Sequence, residues 1–472
     1  MKKISGEEFI KILYSNNDTS ISDCVIEYSE LSIDFKKVKT NKTIFFQEIT
    51  FSGQQLNFYN KTKKHKTIIQ IENCIFNTNI HINGNFEKIL FETNNFNFDK
   101  FEIIDSKIRV LNFVNHSDPS IEKRKKNIFS KGNFKIYKCD FESEFWLKNV
   151  QFMETTTIDI SSVNFYGTCS FLFTSLNQIK FYYCSFFKEF RFDCNYKSLW
   201  FNGCSFLDKI NFSNLYTSNS NTSFLWFDDC SCRKIASFQN YYVHKLRLEN
   251  VTFENIVSFQ NSLFEIIEIK DSVFEKKTSF ENLRTNYFKI HQVTFAEVAY
   301  FDDLNKENEN AIENWDRKTL RTIKRELVNT HNQIDYLRFK AYELNAYKKE
   351  VNQNKSNWRD SLILYFNKDS NNFGLDWTKG LQFIIKWGFL FYFLYLLVYM
   401  LQAKNKCLIP KQADFYINYL KFLNPFSFLK SPIDDAENYF LPFLFFVLGK
   451  IFVSYGIYQT VQAFRKFGVN GG

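Results

Sequence analysis

From Phe134 to Phe301, apolar residues recur on a beat that neither a helix nor an ordinary strand produces. Within one copy they step by 6, 5, 5 and 5, as Phe253, Phe259, Phe264, Ile269 and Phe274, and Phe280 restarts the series. Phe165, Phe171, Leu176, Phe181, Phe186 and Phe192 keep the same count. Helical faces recur every 3.6 residues and strand faces every 2.0, whereas a four-sided coil with about five residues per side turns one position inward at every side. The residue two before each Phe lies on the same face of a short strand and points inward too. That second position holds Cys74, Cys139, Val163, Cys169, Ile179, Cys184, Cys204, Cys230, Ile267 and Phe288. The pattern predicts stacked coils with an interior Phe column, and small residues or thiols filling the space beside it.

Copies such as Cys139/Phe141, Val163/Phe165, Cys184/Phe186, Cys204/Phe206, Val251/Phe253 and Val293/Phe295 are mostly 20 or 21 residues apart. Cys74, Phe76, Ile82, Phe86, Phe91 and Phe96 keep the beat earlier in the chain, which places the coils at 22–303 with an excursion at 115–131. About thirteen coils stacked at ~4.8 Å make a rod of about 60 Å with four flat polar walls. In front of it, Ser5 and Glu8 have capping-box spacing before Phe9, Ile10, Ile12 and Leu13, so residues 1–21 are expected to close the first coil with a short helix.

The units Cys184-Ser185-Phe186, Cys204-Ser205-Phe206 and Val251-Thr252-Phe253 resemble those of the pentapeptide-repeat family: a small residue, a polar one, Leu or Phe, then two polar ones. The resemblance implies a right-handed quadrilateral β-helix, strongly over 134–301 and more weakly before it. This chain departs from the family in having little Ala and Leu in its units and a sixth residue on one side of each coil. The expected fold class is therefore an all-β right-handed β-solenoid of pentapeptide-repeat type, followed by an α-helical hairpin and two transmembrane helices.

Past Phe301 the beat stops. Ile312, Trp315, Leu320, Ile323 and Leu327, then Ile334, Leu337, Ala341, Leu344 and Tyr347, keep helical spacing around the break at Asn329–Asn332, so 304–352 reads as a helical hairpin that covers the open strand edges of the last coil. Trp358, Leu362, Ile363 and Tyr365 give 353–379 the character of an interfacial helix. Leu381 to Leu401 is 21 residues long with one charge, Lys386, and sets the first span at 380–402. The second runs from Tyr439 to Tyr458 inside 439–472, with Trp377, Trp387, Tyr439 and Tyr458 near the span ends. The connection at 403–438 is expected outside the cytoplasm. Its stretch Phe415 to Leu429, with Asn424-Pro425, either lies flat in the outer interface or dips in and returns as in two-span channels, although no Gly-Tyr-Gly filter accompanies it.

Lys450 falls twelve residues into the second span, where a lysine costs about 2.5–3.5 kcal/mol. Gly449, Ser454 and Gly456 supply small surfaces beside it. Lys450, Gly449 and Gly456 therefore mark either a helix interface or a pore or oligomer axis, the alternative for Lys450 being to snorkel along a tilted helix.

Composition adds exclusions. Phe occurs 58 times against 14 Gly and 5 Pro, a bias that itself signals repetition. The net charge of +9 is spread among both signs, so nucleic acid is not an expected partner, and mimicry of DNA by an acidic wall is disfavoured. The basic run Lys123–Lys126 reads as a solvated loop. Ten cysteines without a secretory signal point to a reducing compartment, and Cys230 and Cys232 read as ladder thiols rather than half a metal site. No phosphate loop, nucleophile elbow or zinc motif appears and the six histidines are dispersed, so the chain is expected not to be an enzyme and to need no cofactor or metal.

Some membrane proteins join pentapeptide repeats to C-terminal spans, and Tyr458-Gln459-Thr460 to Phe464-Arg465-Lys466-Phe467-Gly468 is similar to their closing segment. The expected setting is a bacterial inner (plasma) membrane, crossed twice, with the solenoid in the cytoplasm. Loop lysines at 404, 406, 411, 421 and 430 balance those on the other side and leave the orientation to the compartment argument. The function expected is a membrane-anchored scaffold or sensor offering a surface to a protein partner, with membrane lipid as the other contact and homo-oligomerisation open. An oligomeric pore or ion channel regulated by the solenoid is the alternative.

Overall fold

The computed structural model describes residues 1–15, 20–38, 43–61, 67–97, 99–114, 127–129, 132–153, 155–213, 223–354, 357–402, 412–426, 430–433 and 439–464. The basic run at 123–126, most of the 115–131 excursion, the lysines at 404, 406 and 411 and the tail after Phe464 lie outside these residues. The chain divides into two compact units, Met1–Asn314 and Trp315–Gly472.

The first unit is a parallel β-solenoid of about 12 turns. Every strand pairing is parallel and joins one coil to the next: Lys245 aligns with Ile266 and Ile266 with Tyr287, 21 residues per coil. Earlier coils are longer, as where Asn133 aligns with Thr157. The first coil begins ahead of residue 22, because Lys2–Ser5 pairs with Cys24–Glu27 before helix α1 (Gly6–Ser15) starts. The Ser5 Oγ accepts the Glu8 amide at 3.2 Å, and Phe9, fully buried, sets its ring 5.9 Å from Phe46 and 6.1 Å from Phe51. The helix thereby covers rings that a coil below would otherwise cover.

Inside, the Phe positions point to the axis and are removed from solvent. Phe165, Phe186 and Phe206 stack with centroids 4.9 and 4.7 Å apart, as do Phe181, Phe201 and Phe227 at 4.9 and 4.8 Å. The hydrogen-bonded spacing of the strands dictates these distances, so each ring lies above its predecessor in a near-parallel column. Full burial of such a ring stabilises by roughly 1.5–3 kcal/mol, and the repeat multiplies that gain.

Two opposite corners of each coil are turned by a residue with positive φ. One column is Asp105, Lys138, Ser162, Tyr183, Gly203, Asp229, Asn250, Asp271 and Gln292; the other includes Asn73, Asn149, Asn240, Asn261 and Asn282. Asn, Asp and Gly tolerate the left-handed region best, which explains why the residue before the inward Cys or Val is so often one of them. The thiols have a second task there. Cys139 Sγ donates to the carbonyls of Tyr137 (3.2 Å) and Ile103 (3.4 Å), and Cys230 Sγ to those of Asp228 (3.2 Å) and Phe201 (3.5 Å). Ser106 and Ser272 occupy equivalent places and donate to Ile104 O and Lys270 O at 2.9 and 2.8 Å. A buried carbonyl at each corner is thus satisfied by a short side chain. The first unit ends in α2 (Glu309–Ile312).

The second unit is helical: α3 (Arg317–Asn329), α4 (Gln333–Asn354), α5 (Trp358–Asn371), α6 (Trp377–Gln402), α7 (Gln412–Leu423) and α8 (Phe440–Phe464). Helices α6 and α8 are long and apolar enough to cross a membrane. Asp316 caps α3 by accepting the Thr319 amide at 3.0 Å. Helices α3 and α4 are held together by Glu343, only 6% exposed, which accepts from Arg321 Nε at 3.0 Å and from Lys324 Nζ. Burial by itself would raise the Glu343 carboxyl, but the hydrogen bonds and charges of Lys324 and Arg321 outweigh it and hold that carboxyl below the usual range.

Helix α5 runs beside the second half of α8 in the same direction, rather than lying across the helix pair. Asn367 Oδ1 accepts from the Tyr455 hydroxyl at 2.8 Å, and Asn371 Nδ2 donates to Gln459 Oε1 at 2.5 Å, one turn further along both helices. An apolar stripe of Leu362, Ile363 and Phe366 suggests an interfacial helix only while these polar partners are unknown.

Candidate functional site

Two places in the molecule combine unusual residues with a built geometry. The first is on the solenoid wall. Glu102, Lys135, Asp159, Lys180, Trp200, Trp226, Arg247, Glu268 and Lys289 stand in one outward column, one per coil. Its centre is aromatic: the Trp200 and Trp226 ring centroids are 4.8 Å apart, with Lys180 Nζ 5.5 Å from Trp200 on one side and the Arg247 guanidinium 4.4 Å from Trp226 on the other. Cations over both indole faces hold the pair in place without burying it.

The aromatic surface continues around the corner. Tyr183, at positive φ and 68% exposed, lies over Gly203 of the next coil, where a Cβ would fall 2.5 Å from its ring. On the adjoining wall Tyr166 and Phe187, both exposed, stack at 4.6 Å. Phe187 follows the interior Phe186 and Tyr166 follows Phe165, so the same repeat that fills the core sets these rings outside. The band Trp226, Trp200, Tyr183, Phe187 and Tyr166 therefore crosses two walls on neighbouring coils. Below and above it the walls are polar and self-paired, as in Lys270 and Arg247 around Glu249, whose hydrogen bonds hold that carboxyl below the usual range. The sequence signal, an aromatic immediately after or two before the repeat Phe, was present but masked by the abundance of Phe and Tyr.

The second place is Lys450. It is 0% exposed, and its Nζ donates to the carbonyls of Asn424 and of Lys421 (3.4 Å), beyond and within the last turn of α7. The Phe446 and Phe422 rings stand 5.2 and 6.0 Å from it. Helix α7 lies against both long helices. Tyr419 donates to Ile385 O at 3.0 Å and Tyr392 to Phe415 O at 3.2 Å. The C-terminal end of α7 reaches Gly388, whose Cβ position would meet Leu423 at 2.5 Å, near the middle of α6. The returning chain places Ser431 Oγ 2.7 Å from the Tyr395 hydroxyl, further back toward the end of α6. Of the two arrangements open for this stretch, α7 takes the one that dips in and returns.

Gly449 and Gly456 each admit a neighbour closely: a Cβ on Gly449 would strike the Phe422 ring, and one on Gly456 would come within 2.6 Å of Ile384. Gly449 thus serves the α7 contact and Gly456 the α6–α8 contact. Comparison with protein-family models, curated proteins and solved structures finds no match to this chain. Among the described residues, no three His, Cys, Asp or Glu side chains are grouped to hold a metal ion, and nine cysteines are buried free thiols, Cys230 and Cys232 among them, aligned with Cys204 and Phe206 of the coil before.

Proposed function

We propose that this chain is a membrane-anchored scaffold of pentapeptide-repeat type, whose solenoid presents the band of Trp200, Trp226, Tyr183, Phe187 and Tyr166 to a protein partner, with the solenoid on the cytoplasmic face of the membrane. The aromatic band carries the reading. Tyr, Trp and Arg are the residues that most often dominate protein interfaces, and an exposed aromatic cluster rimmed by self-paired charges is costly to maintain in a monomer without an occupant. The apolar helices α6 and α8 support the anchor.

The test is a photo-reactive benzoylphenylalanine placed at Phe187, or at Asn211 on another wall, in the full-length protein in its native membrane. A single adduct from position 187, none from 211, and loss of that adduct on Tyr183→Ser are expected. Equal adducts from both walls, or none from either, would reject the band as the partner surface.

One observation favours a second reading, an oligomeric pore: a helix that dips between two apolar helices and ends near their middle is how a pore loop is built. Planar-bilayer recording on purified protein of measured oligomeric mass decides it, and absence of conductance from a verified oligomer removes it.

A further inference from the structure

The end of α7 is a place where backbone carbonyls face an apolar interior. The last four carbonyls of any helix lack intrahelical partners, and the C-terminus carries the negative end of the helix dipole. Hydrocarbon offers no water to such groups, so something in the protein must satisfy them. Here two carbonyl oxygens, of Lys421 and Asn424, and two ring faces, of Phe446 and Phe422, converge on one point. Carbonyl oxygens and the faces of aromatic rings share one chemical preference, for a small cation. Gly449 is what brings the Phe422 ring in, since any side chain at 449 would displace it.

We propose that this point is a binding site for a small monovalent cation, occupied in the native chain by the protein's own Lys450 ammonium. Lys450 is then a tethered ligand: it neutralises the end of the dipping helix and closes the site to free cations. The inference is independent of the scaffold reading and requires no conductance. It explains why a fully buried lysine and the irregular backbone around Asn424 occur together, each otherwise costly in an apolar setting.

Lys450→Ala removes three methylenes and the ammonium, leaving a gap that n-propylammonium matches. The experiment measures the thermal unfolding midpoint of full-length protein in lipid nanodiscs, in chloride salts of N-methylglucamine, potassium or n-propylammonium. Expected are a lowered midpoint for Lys450→Ala in N-methylglucamine, recovery of at least half of that loss with saturating n-propylammonium, and no response of the native protein. Recovery with potassium as well would extend the site to inorganic cations. Lys450→Met, which fills the space without charge, guards against a variant that fails to fold; it should also lie below the native midpoint and be insensitive to n-propylammonium. A Lys450→Met midpoint equal to native, or a Lys450→Ala protein unmoved by either cation, would overturn the proposal.

Discussion

Cysteine in this solenoid acts as a short hydrogen-bond donor that also packs. Cys204 Sγ lies 3.5 Å from the carbonyls of both Asn202 and Phe181, in the same column as Ser272. Cys204→Ser is therefore expected to change stability by less than about 1 kcal/mol, while Cys204→Leu, which overpacks the column, costs about 1–3 kcal/mol by urea unfolding. Burial pushes the thiols of Cys74, Cys139 and Cys194 up to about 12 and those of Cys169, Cys204, Cys230 and Cys232 well above the ordinary range. Since the thiolate is the reactive form, these cysteines should resist iodoacetamide at neutral pH in a folded Cys407→Ser protein and react fully once denatured, as mass spectrometry would record. The corner residues carry a separate demand. Asn250 has φ of 53°, so Asn250→Val should cost about 1–2 kcal/mol and Asn250→Gly almost nothing, a contrast that chemical unfolding measures directly.

Among the elements, the α3–α4 hairpin depends most on charge. Glu343 joins Arg321 and Lys324 across the pair, and its folded carboxyl titrates below the unfolded one. A depressed carboxyl contributes stability that is complete above the unfolded value and lost as pH falls through the folded one. The midpoint of the helical unit should therefore fall on acidification through the carboxylate range, and Glu343→Gln should flatten that dependence while costing about 1.5–3 kcal/mol at neutral pH, read by helical circular dichroism. Helix α7 illustrates a different control. Its apolar Phe415, Tyr419 and Phe422 are legible as a helix face, but whether that face lies flat or dips depends on Tyr392, Tyr395, Gly388 and Lys450, which are distant in sequence.

On the scale of the whole molecule, division into Met1–Asn314 and Trp315–Gly472 separates two kinds of stability. The solenoid rests on contacts between successive coils, whereas the helical unit rests on apolar helices that need a non-aqueous setting. A fragment ending at Asn314 is expected to remain in the soluble fraction with a β-type circular dichroism spectrum, and one of residues 315–472 to resist carbonate extraction from membranes. A 1–314 fragment that pelleted with membranes would contradict the anchor.

The five-residue beat determined the solenoid by itself, because a period that matches neither helix nor strand leaves a four-sided coil as the way to bury every Phe at once. It also placed Cys230 and Cys232 in the ladder, and hydropathy marked the two long apolar helices. Other features depended on contacts that sequence distance hides. That Lys2–Ser5 already belongs to the first coil follows from pairing with Cys24–Glu27, and that α5 runs along α8 follows from Asn367 and Asn371 finding Tyr455 and Gln459. The same holds for Lys450, whose cost was evident from its place in an apolar run but whose partners are backbone carbonyls. Every residue carries a carbonyl, so no side-chain pattern announces which of them the fold will leave unpaired, and tertiary structure alone decides where a buried charge finds its counterpart.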